Sequence, residues 1–224
     1  MPGYSTRMLA MQIGGDAWRL RVLSDTQQFS DPDGHGEAVG ISSAQWSLFG
    51  QLWPAGQLLA QAMHVFDIAG KRILELGCGI GLASLVLKRR GATVTASDVH
   101  PLAESFLAYN SALNELDAVT YRQLRWDVPL PTLGRFDLII ASDVLYEPAQ
   151  VAMLGGVIER HANERAEVLV TDPGRGNSTR FSRALAAQGF SVAETRCPRD
   201  DQDPAPYRGR LLHYRREPVA TEIA

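Results

Sequence analysis

From residue 71 onward, short apolar runs alternate with segments of helical period. The apolar runs are RILEL at 72–76, ATVTAS at 92–97, AVTYRQL at 118–124, FDLIIAS at 136–142, AEVLVT at 166–171, FSVAET at 190–195 and RLLHY at 210–214. This alternation predicts an α/β fold, a doubly wound sheet of seven strands covered by helices on both faces. Because no helical segment separates the last two runs, we expect them to form an antiparallel hairpin beside otherwise mostly parallel strands.

The segments between these runs carry start and stop signals for helices. The segment 80–91 ends in three basic residues and Gly91, which suits a helix C-terminus. Pro101 suits the first turn of a helix in 101–116, whose packing face is predicted from a spacing of four, three, four and three. That face comprises Leu102, Phe106, Tyr109, Leu113 and Leu116. Further helices are predicted in 147–162, in 177–188 ending at Gly189, and after Pro54 in 51–66.

The first 70 residues are less regular than the rest of the chain. Residues 17–23 alternate like a strand, and a polar loop rich in Asp and Gly follows. We expect residues 1–70 to form an N-terminal extension that packs on a core at 71–216, with a flexible tail at 217–224. The loop at 24–40, which contains His35, is either a substrate lid or an ordinary mobile loop. The acidic stretch at 200–203 is either a solvated hairpin tip or a contact for a basic substrate segment.

Charge and composition exclude several classes of function. The chain has 22 Lys plus Arg against 25 Asp plus Glu, a net charge of −3, which disfavours nucleic acid as a partner. Its sequence shows neither an apolar run of signal-peptide length near the start nor a membrane-length span, so we expect a soluble cytoplasmic protein without a membrane partner. Two cysteines and five histidines in no ligand spacing suggest neither a disulfide nor a metal site. The sequence leaves the oligomeric state open.

The loop between the first core strand and the next helix, ILELGCGIGLAS at 73–84, contains three alternate glycines. Such a loop brings backbone amides close to a ligand. Leu82 stands where a dinucleotide-binding loop has its third small residue, and no Lys follows at the spacing of a phosphate loop. The ligand therefore needs no phosphate. Cys78 inside this loop is either a small residue that fills a tight turn or a catalytic thiol.

Two acids flank the glycines in a characteristic way. Glu75 lies in the strand just before them, and Asp98 ends the next strand 21 residues after Gly77, where an acid can accept both hydroxyls of a ribose. Together these residues resemble motifs of the class I, seven-β-strand S-adenosylmethionine-dependent methyltransferases. The resemblance implies a Rossmann-like fold and the cofactor S-adenosyl-L-methionine. The cofactor-binding residues it implies are Trp53, Glu75, Gly77, Cys78, Gly79, Gly81, Asp98, Trp126, Asp127 and Ser142.

The end of the FDLIIAS strand supplies the candidate acceptor site. SDVLY at 142–146 contains a DxxY motif, but Val144 and Leu145 replace the two prolines typical of enzymes that methylate bases or glutamine. The motif resembles that of the family 16 protein-lysine methyltransferases, which implies catalytic roles for Asp143 and Tyr146. Trp53 and Trp126 fall in the same family order; Trp53 either lines the cofactor pocket or only staples the entry helix to the core.

Three further segments, at 53–60, 97–103 and 171–176, resemble the branch that methylates the electron-transfer flavoprotein β subunit. The resemblance implies a protein substrate. Arg175 is then either a substrate contact or a surface residue beside a type II turn. N-methylation of a small-molecule amine or of protein histidine stays open, as does a module that binds the cofactor without turnover. An NAD-dependent oxidoreductase is disfavoured by Leu82.

Overall fold

The computed structural model describes residues 3–197 and 209–218, and its main feature is a seven-stranded sheet. The strands of this sheet are β3 (Arg72–Leu76), β4 (Thr93–Asp98), β5 (Thr120–Gln123), β6 (Phe136–Ser142), β7 (Ala162–Asp172), β8 (Ser191–Arg196) and β9 (Arg210–Arg216). They lie in the order β5-β4-β3-β6-β7-β9-β8. The first five are parallel, and β9 is antiparallel to both β7 and β8. The predicted Rossmann-like fold with its antiparallel C-terminal hairpin is confirmed.

Helices cover both faces of this sheet. They are α1 (His35–Ala38), α2 (Pro54–Val65), α3 (Leu82–Arg89), α4 (Ala103–Leu113), α5 (Pro148–His161) and α6 (Ser178–Ala186). Apolar side chains of α2, α3 and α4 pack with one set of alternate strand residues, and those of α5 and α6 pack with the other set. This alternation is the period of two that any strand imposes. Each parallel crossover therefore leaves the carboxyl ends of β3, β4 and β6 together at one edge, where open α/β sheets bind ligands.

The predicted packing face of α4 is confirmed at Phe106, Leu102 and Leu116, which pack in the core, but it is wrong at Tyr109. The buried side chains are Ala103, Phe106, Leu107, Asn110 and Ser111, and Tyr109 is 45% exposed. Tyr109 lies instead under the guanidinium of Arg21, whose Cζ is 4.1 Å from the ring centroid. The predicted face counts apolar positions only, whereas the polar Asn110 is fully buried and bonds to the backbone of Arg21.

A two-stranded antiparallel sheet precedes the core: β1 (Thr6–Ile13) and β2 (Asp16–Leu23). The strand β2 was predicted and β1 was not. Two amide side chains, one in α4 and one at its C-cap, bond to the free edge of β2. Asn110 accepts from the backbone N–H of Arg21 at 2.7 Å, and Asn114 accepts from that of Arg19 at 3.0 Å. Residues four apart on a helix therefore match residues two apart on a strand.

The structure does not test several of the predictions made from the sequence. The boundaries at residues 70 and 216 and the flexible tail stay predictions, and the acidic stretch at 200–203 lies outside the described residues. Within the described part of the chain, no helix is long and apolar enough to cross a membrane. The same residues hold no group of three or more His, Cys, Asp or Glu side chains placed to bind a metal ion.

Candidate active site

A cavity of about 670 Å³ lies at the carboxyl ends of β3, β4 and β6. Its size falls in the range typical of small-molecule sites. The lining comes mainly from the loops that follow β3, β4, β5 and β6 and from the segment 39–53, and the loop after β7 adds Arg175. The N-terminal region thus contributes directly to the cavity, although the sequence assigned only Trp53 to it.

The glycine loop forms one wall of this cavity. Gly77 and Gly79 have φ angles of +67° and +53°, which L side chains rarely adopt. A Cβ atom at Gly79 would lie 2.6 Å from the backbone oxygen of Phe49, so the loop and the segment 39–53 approach closely only because this residue is glycine. Gly81 lies behind the lining. A Cβ at this position would lie 2.3 Å from the Leu107 side chain, so packing explains why residue 81 is glycine. Its assignment as a cofactor contact stays a prediction.

Two buried acids line the deep part of the cavity. Glu75 is 3% exposed, and its Oε2 accepts from the backbone N–H of Ser84 at 3.0 Å and from the Ser84 hydroxyl. Burial raises the pKa of Glu75 to about 7. Asp98 accepts from the backbone N–H of Gly79 at 2.8 Å and from that of His100 at 2.9 Å, one on each oxygen. Each oxygen of Asp98 keeps a second acceptor site, so the carboxylate is held in place without being saturated.

Cys78 and His100 also line the cavity, and burial makes both of them neutral at pH 7. It raises the pKa of the Cys78 thiol well above the ordinary value, so the reactive thiolate is disfavoured and Cys78 suits the role of a small turn residue. Burial lowers the pKa of His100 to about 4. The His100 ring stacks on Phe49 with centroids 3.7 Å apart, and its Nδ1 accepts from the backbone N–H of Leu102. Its chemistry is that of a neutral packing group.

Three residues predicted to bind the cofactor line the cavity, with one unexpected pairing. Trp53 and Trp126 both line it, and Trp53 donates its Nε1–H to the backbone oxygen of Leu48 at 2.9 Å. Asp127 lines it too, but both of its oxygens accept from Arg125, at 2.8 and 3.2 Å. The role of Asp127 in cofactor binding stays a prediction, which now requires that Asp127 share its oxygens with Arg125.

The candidate catalytic residues lie at the mouth of the same cavity. Ser142 ends β6, and Asp143 follows it with a φ angle of +52°. Asp143 donates its backbone N–H to the oxygen of Thr171 at 2.9 Å, which ties it to β7. Tyr146 is 39% exposed, and partial burial raises the pKa of its hydroxyl, so it is a neutral donor at pH 7. Acid, phenol and cofactor wall therefore meet in one site.

Arg175, which the sequence leaves open as a substrate contact or a surface residue, pairs with Asp143. Its Nε and Nη2 donate to the two oxygens of Asp143, each at 2.9 Å, and it lines the cavity. Sequence reasoning also missed the hydrogen bond from Gln45 to Glu147 at 3.2 Å, which links the segment 39–53 to the residue that caps α5. Neither partner pair has a signal in the sequence, because the partners are 32 and 102 residues apart.

The lining residues fit S-adenosylmethionine. Glycines at 77 and 79 leave room for a ligand against bare backbone, and two buried acids face a cavity that would receive a sulfonium, an amino group and a ribose diol. The two arginines in the lining, Arg125 and Arg175, are each ion-paired with an aspartate at 2.8 and 2.9 Å. A site whose arginines are engaged in this way is poorly suited to a phosphate group, which agrees with the reading of the glycine loop.

The chain is similar in sequence to proteins named as lysine methyltransferases. The chain is 34% identical over 164 residues to the protein N-lysine methyltransferase METTL21A of Danio rerio, covering 68% of this chain and 74% of that one. It is 29% identical over 167 residues to the electron transfer flavoprotein beta subunit lysine methyltransferase of Mus musculus, covering 72% of this chain. It spans only 62% of the length of that relative.

Among solved structures, magnesium protoporphyrin IX methyltransferase of Synechocystis PCC 6803 with bound S-adenosylmethionine shares the fold. Its TM-score is 0.56 at 21% identity, over 73% of this chain and 78% of that one. The family model described as lysine methyltransferase matches residues 41–186, which include the cavity-lining loops and most of the segment 39–53. The chain belongs to this family of S-adenosylmethionine-dependent lysine methyltransferases.

Proposed function

We propose that this protein transfers a methyl group from S-adenosylmethionine to the side-chain amine of a lysine in a protein substrate. The observation that carries the proposal is the placement of Asp143 and Tyr146 at the mouth of the cavity whose deep part holds Glu75 and Asp98. An acceptor nitrogen that reaches the mouth meets a hydrogen-bond acceptor and a neutral donor beside the cofactor site. Membership of the lysine methyltransferase family supports lysine as the acceptor.

Alignment of two reactants is the main task of such a site, because methyl transfer is an in-line displacement. When bound, S-adenosylmethionine supplies the methyl group on its sulfonium sulfur. The lone pair of the lysine nitrogen forms the new N–C bond as the S–C bond breaks, and that bond's electron pair stays on sulfur. The methylated nitrogen then releases a proton to solvent. Asp143 would accept a hydrogen bond from the incoming amine and Tyr146 would orient it. Asp98 would hold the ribose, and Glu75 and Gly79 would hold the methionine portion.

The amine must also reach the site without its proton. A free lysine has a pKa near 10.4, so only about one molecule in a thousand or fewer is neutral at pH 7. Desolvation at the mouth of a mostly apolar cavity and the positive charge of the cofactor both disfavour the ammonium form. The half-buried surroundings of Tyr146 therefore matter for the protonation state of the substrate as well as for its position.

We propose the electron-transfer flavoprotein β subunit as the first protein to test, because relatives named for that activity match this chain. Purified enzyme is incubated with radiolabelled S-adenosylmethionine and one of three acceptors: recombinant β subunit from the source organism, the protein fraction of its lysate, or the small-molecule fraction. Label in protein that mass spectrometry locates on lysine supports the proposal. Label on histidine, label only among small molecules, or no transfer at all contradicts it.

The variant Asp143→Asn should lower turnover by about a hundredfold while it leaves the affinity for S-adenosylhomocysteine unchanged. Asn keeps the left-handed backbone that residue 143 adopts but removes the charge and one of the two acceptor oxygens. Calorimetric titration with S-adenosylhomocysteine checks the binding, and label transfer checks the turnover. Full turnover in this variant would remove Asp143 from the mechanism.

A further inference from the structure

The ion pair between Arg175 and Asp143 is bidentate. Its two hydrogen bonds are both 2.9 Å long and join Nε to Oδ1 and Nη2 to Oδ2. Such a fork fixes a carboxylate in plane and direction, which a single contact does not. The Asp143 side chain is only 13% exposed, so the pair is partly shielded from solvent on the acid's side.

The backbone around Arg175 is shaped to deliver it. Gly174 and Gly176 on either side both have φ angles of +92°. The loop leaves β7 after Asp172, the neighbour of Thr171, whose backbone oxygen accepts from the N–H of Asp143. Asp143 is thus held at its backbone by the end of β7 and at its side chain by the loop that follows. Arg175 is a member of the site, whereas a residue that merely flanked a turn would have no reason to reach the cavity.

This pairing answers a difficulty in the chemistry. Only a neutral amine has the lone pair that attacks a methyl group, yet a lone carboxylate beside a lysine favours the ammonium form. A carboxylate already paired with a guanidinium exerts much less of that attraction. It also keeps acceptor capacity, since an ionised carboxylate has about four lone-pair sites and the fork uses two of them.

We propose that Arg175 is a positioning residue for the acceptor amine. It fixes the Asp143 carboxylate through both oxygens and balances its charge, so that Asp143 accepts a hydrogen bond from a neutral amine and does not hold an ammonium. This inference rests on the proposed lysine methyl transfer and adds the residue that sets the protonation state in which the substrate binds.

The other charged groups around this site are mostly balanced by partners of their own. Asp127 pairs with Arg125, and buried Asp172 at the end of β7 lies 3.6 Å from Arg210 of β9, which also contacts Glu194 of β8. Glu147 at the start of α5 binds Gln45. The remaining titratable groups that line the cavity are Glu75, Cys78, Asp98, His100 and Tyr146. Removal of Arg175 should therefore change the charge balance of Asp143 and leave these other ion pairs in place.

The experiment compares Arg175→Met, Arg175→Gln and Arg175→Lys with the wild type from pH 6.5 to pH 10. The measured quantities are kcat and KM for whichever acceptor takes label, the β subunit or the lysate protein fraction, and the affinity for S-adenosylhomocysteine. Arg180→Met is the matched control, because Arg180 is exposed on α6 and does not line the cavity. Thermal melts verify that each variant is folded, and Gln stands in should the Met variant not fold.

We expect Arg175→Met and Arg175→Gln to be about tenfold slower than wild type in kcat at pH 7 and to recover as the pH approaches 10, because kcat reports the ionisation of the bound amine. The pH at which the rate levels off then rises by about one unit, which equals a tenfold change in the neutral fraction of the amine. Arg175→Lys keeps the charge but loses the fork, so its kcat should fall without a shift in the pH profile. Arg180→Met should behave as wild type.

Three results would overturn the inference. One is a pH profile for Arg175→Met that runs parallel to wild type, whatever its height. Another is faster transfer at pH 7, which would mean that Arg175 restrains Asp143. The third is a matching loss of S-adenosylhomocysteine affinity, which would indicate a structural role. If wild-type enzyme itself labels no protein, the proposed function fails, and that result is distinct because it appears before any variant is compared.

Discussion

At the scale of single residues, Glu75 shows how strongly a site depends on burial. The same carboxyl group on the surface would ionise near pH 4.5, but desolvation raises its pKa to about 7 despite two hydrogen bonds from Ser84. In the sequence, Glu75 was marked as functional by its place just before the glycine loop, in a motif that resembles those of class I methyltransferases. It did not show that the acid titrates near neutrality, because that depends on what surrounds it.

Glu75 should make the free protein lose stability as the pH rises from about 4.5 to 7. Below pH 4.5 both folded and unfolded chains hold this proton, whereas above it the unfolded chain releases the proton that the folded chain retains. The free energy of unfolding then falls by up to roughly 3 kcal/mol across this window. Glu75→Gln should flatten the fall, as measured by urea midpoints at pH 5, 6 and 7. Asp98, whose pKa burial also raises, leaves a residual slope.

Gly79 offers a test of the glycine loop with a matched control. Gly79 and Gly91 both have positive φ angles, so alanine at either should cost about 1 kcal/mol of backbone strain. Only at Gly79 would the new methyl group meet a backbone oxygen; at Gly91 it has open space. We expect Gly91→Ala to bind S-adenosylhomocysteine normally and Gly79→Ala to lose at least tenfold in affinity. Equal affinities in the two variants would contradict the close approach of the loop to Phe49.

Much of the candidate site was predictable because it follows the ends of strands. Glu75, Asp98 and Asp143 each lie at or next to the carboxyl end of a parallel strand, and a doubly wound sheet brings those ends together. Arg175 and His100 were not predictable in the same way. Their parts depend on where a loop lands after the chain has folded, and nothing in TDPGRG or SDVHP encodes a distance to Asp143 or Phe49.

At the scale of elements, the junction between α4 and β2 is held by amide side chains. Besides accepting from Arg21, Asn110 donates to the backbone oxygens of Arg21 at 3.3 Å and Ile80 at 3.1 Å. One fully buried side chain therefore connects the hairpin, the glycine loop and α4. Sequence patterns predicted β2, α4 and the glycine loop but not this junction, since an asparagine within a helix is read first as a surface residue.

We expect Asn110→Ala to lower the free energy of unfolding by about 2 to 3 kcal/mol, because it leaves several buried backbone groups without partners. Asn114→Ala is the matched control one turn along. It removes similar bonds to Arg19, but Arg19 is exposed, so water can replace them and the cost should be smaller. Urea unfolding of both variants measures the difference. Equal losses would show that burial of Asn110 does not matter.

At the scale of the whole molecule, the cavity joins parts of the chain that are distant in sequence. The segment 39–53 and the loops after β3, β4, β5 and β6 all contribute to it, and the family match begins at residue 41, near the start of that segment. The hairpin of β1 and β2 precedes the match. A ligand that contacts the segment 39–53 and these four loops together should stabilise the folded chain as a unit.

S-adenosylhomocysteine at 100 times its dissociation constant should stabilise the protein by about 2.7 kcal/mol. For a chain of this size that corresponds to a rise in Tm of about 5 to 10 °C. NAD at the same concentration should leave Tm unchanged, because the glycine loop lacks the third small residue and the arginines of the lining are already paired. Differential scanning fluorimetry makes the comparison. Stabilisation by NAD alone would favour an oxidoreductase.

At Asp143, the left-handed backbone conformation lowers stability, whereas the side chain serves the proposed catalysis. A residue other than glycine costs about 1 kcal/mol or more in this conformation, and Asn tolerates it about as well as Asp. Random variants selected only for survival at high temperature should therefore tolerate the replacement of Asp143. Variants that must also transfer a methyl group should keep it. Sequencing both populations would show whether this turn is maintained for the sake of its side chain.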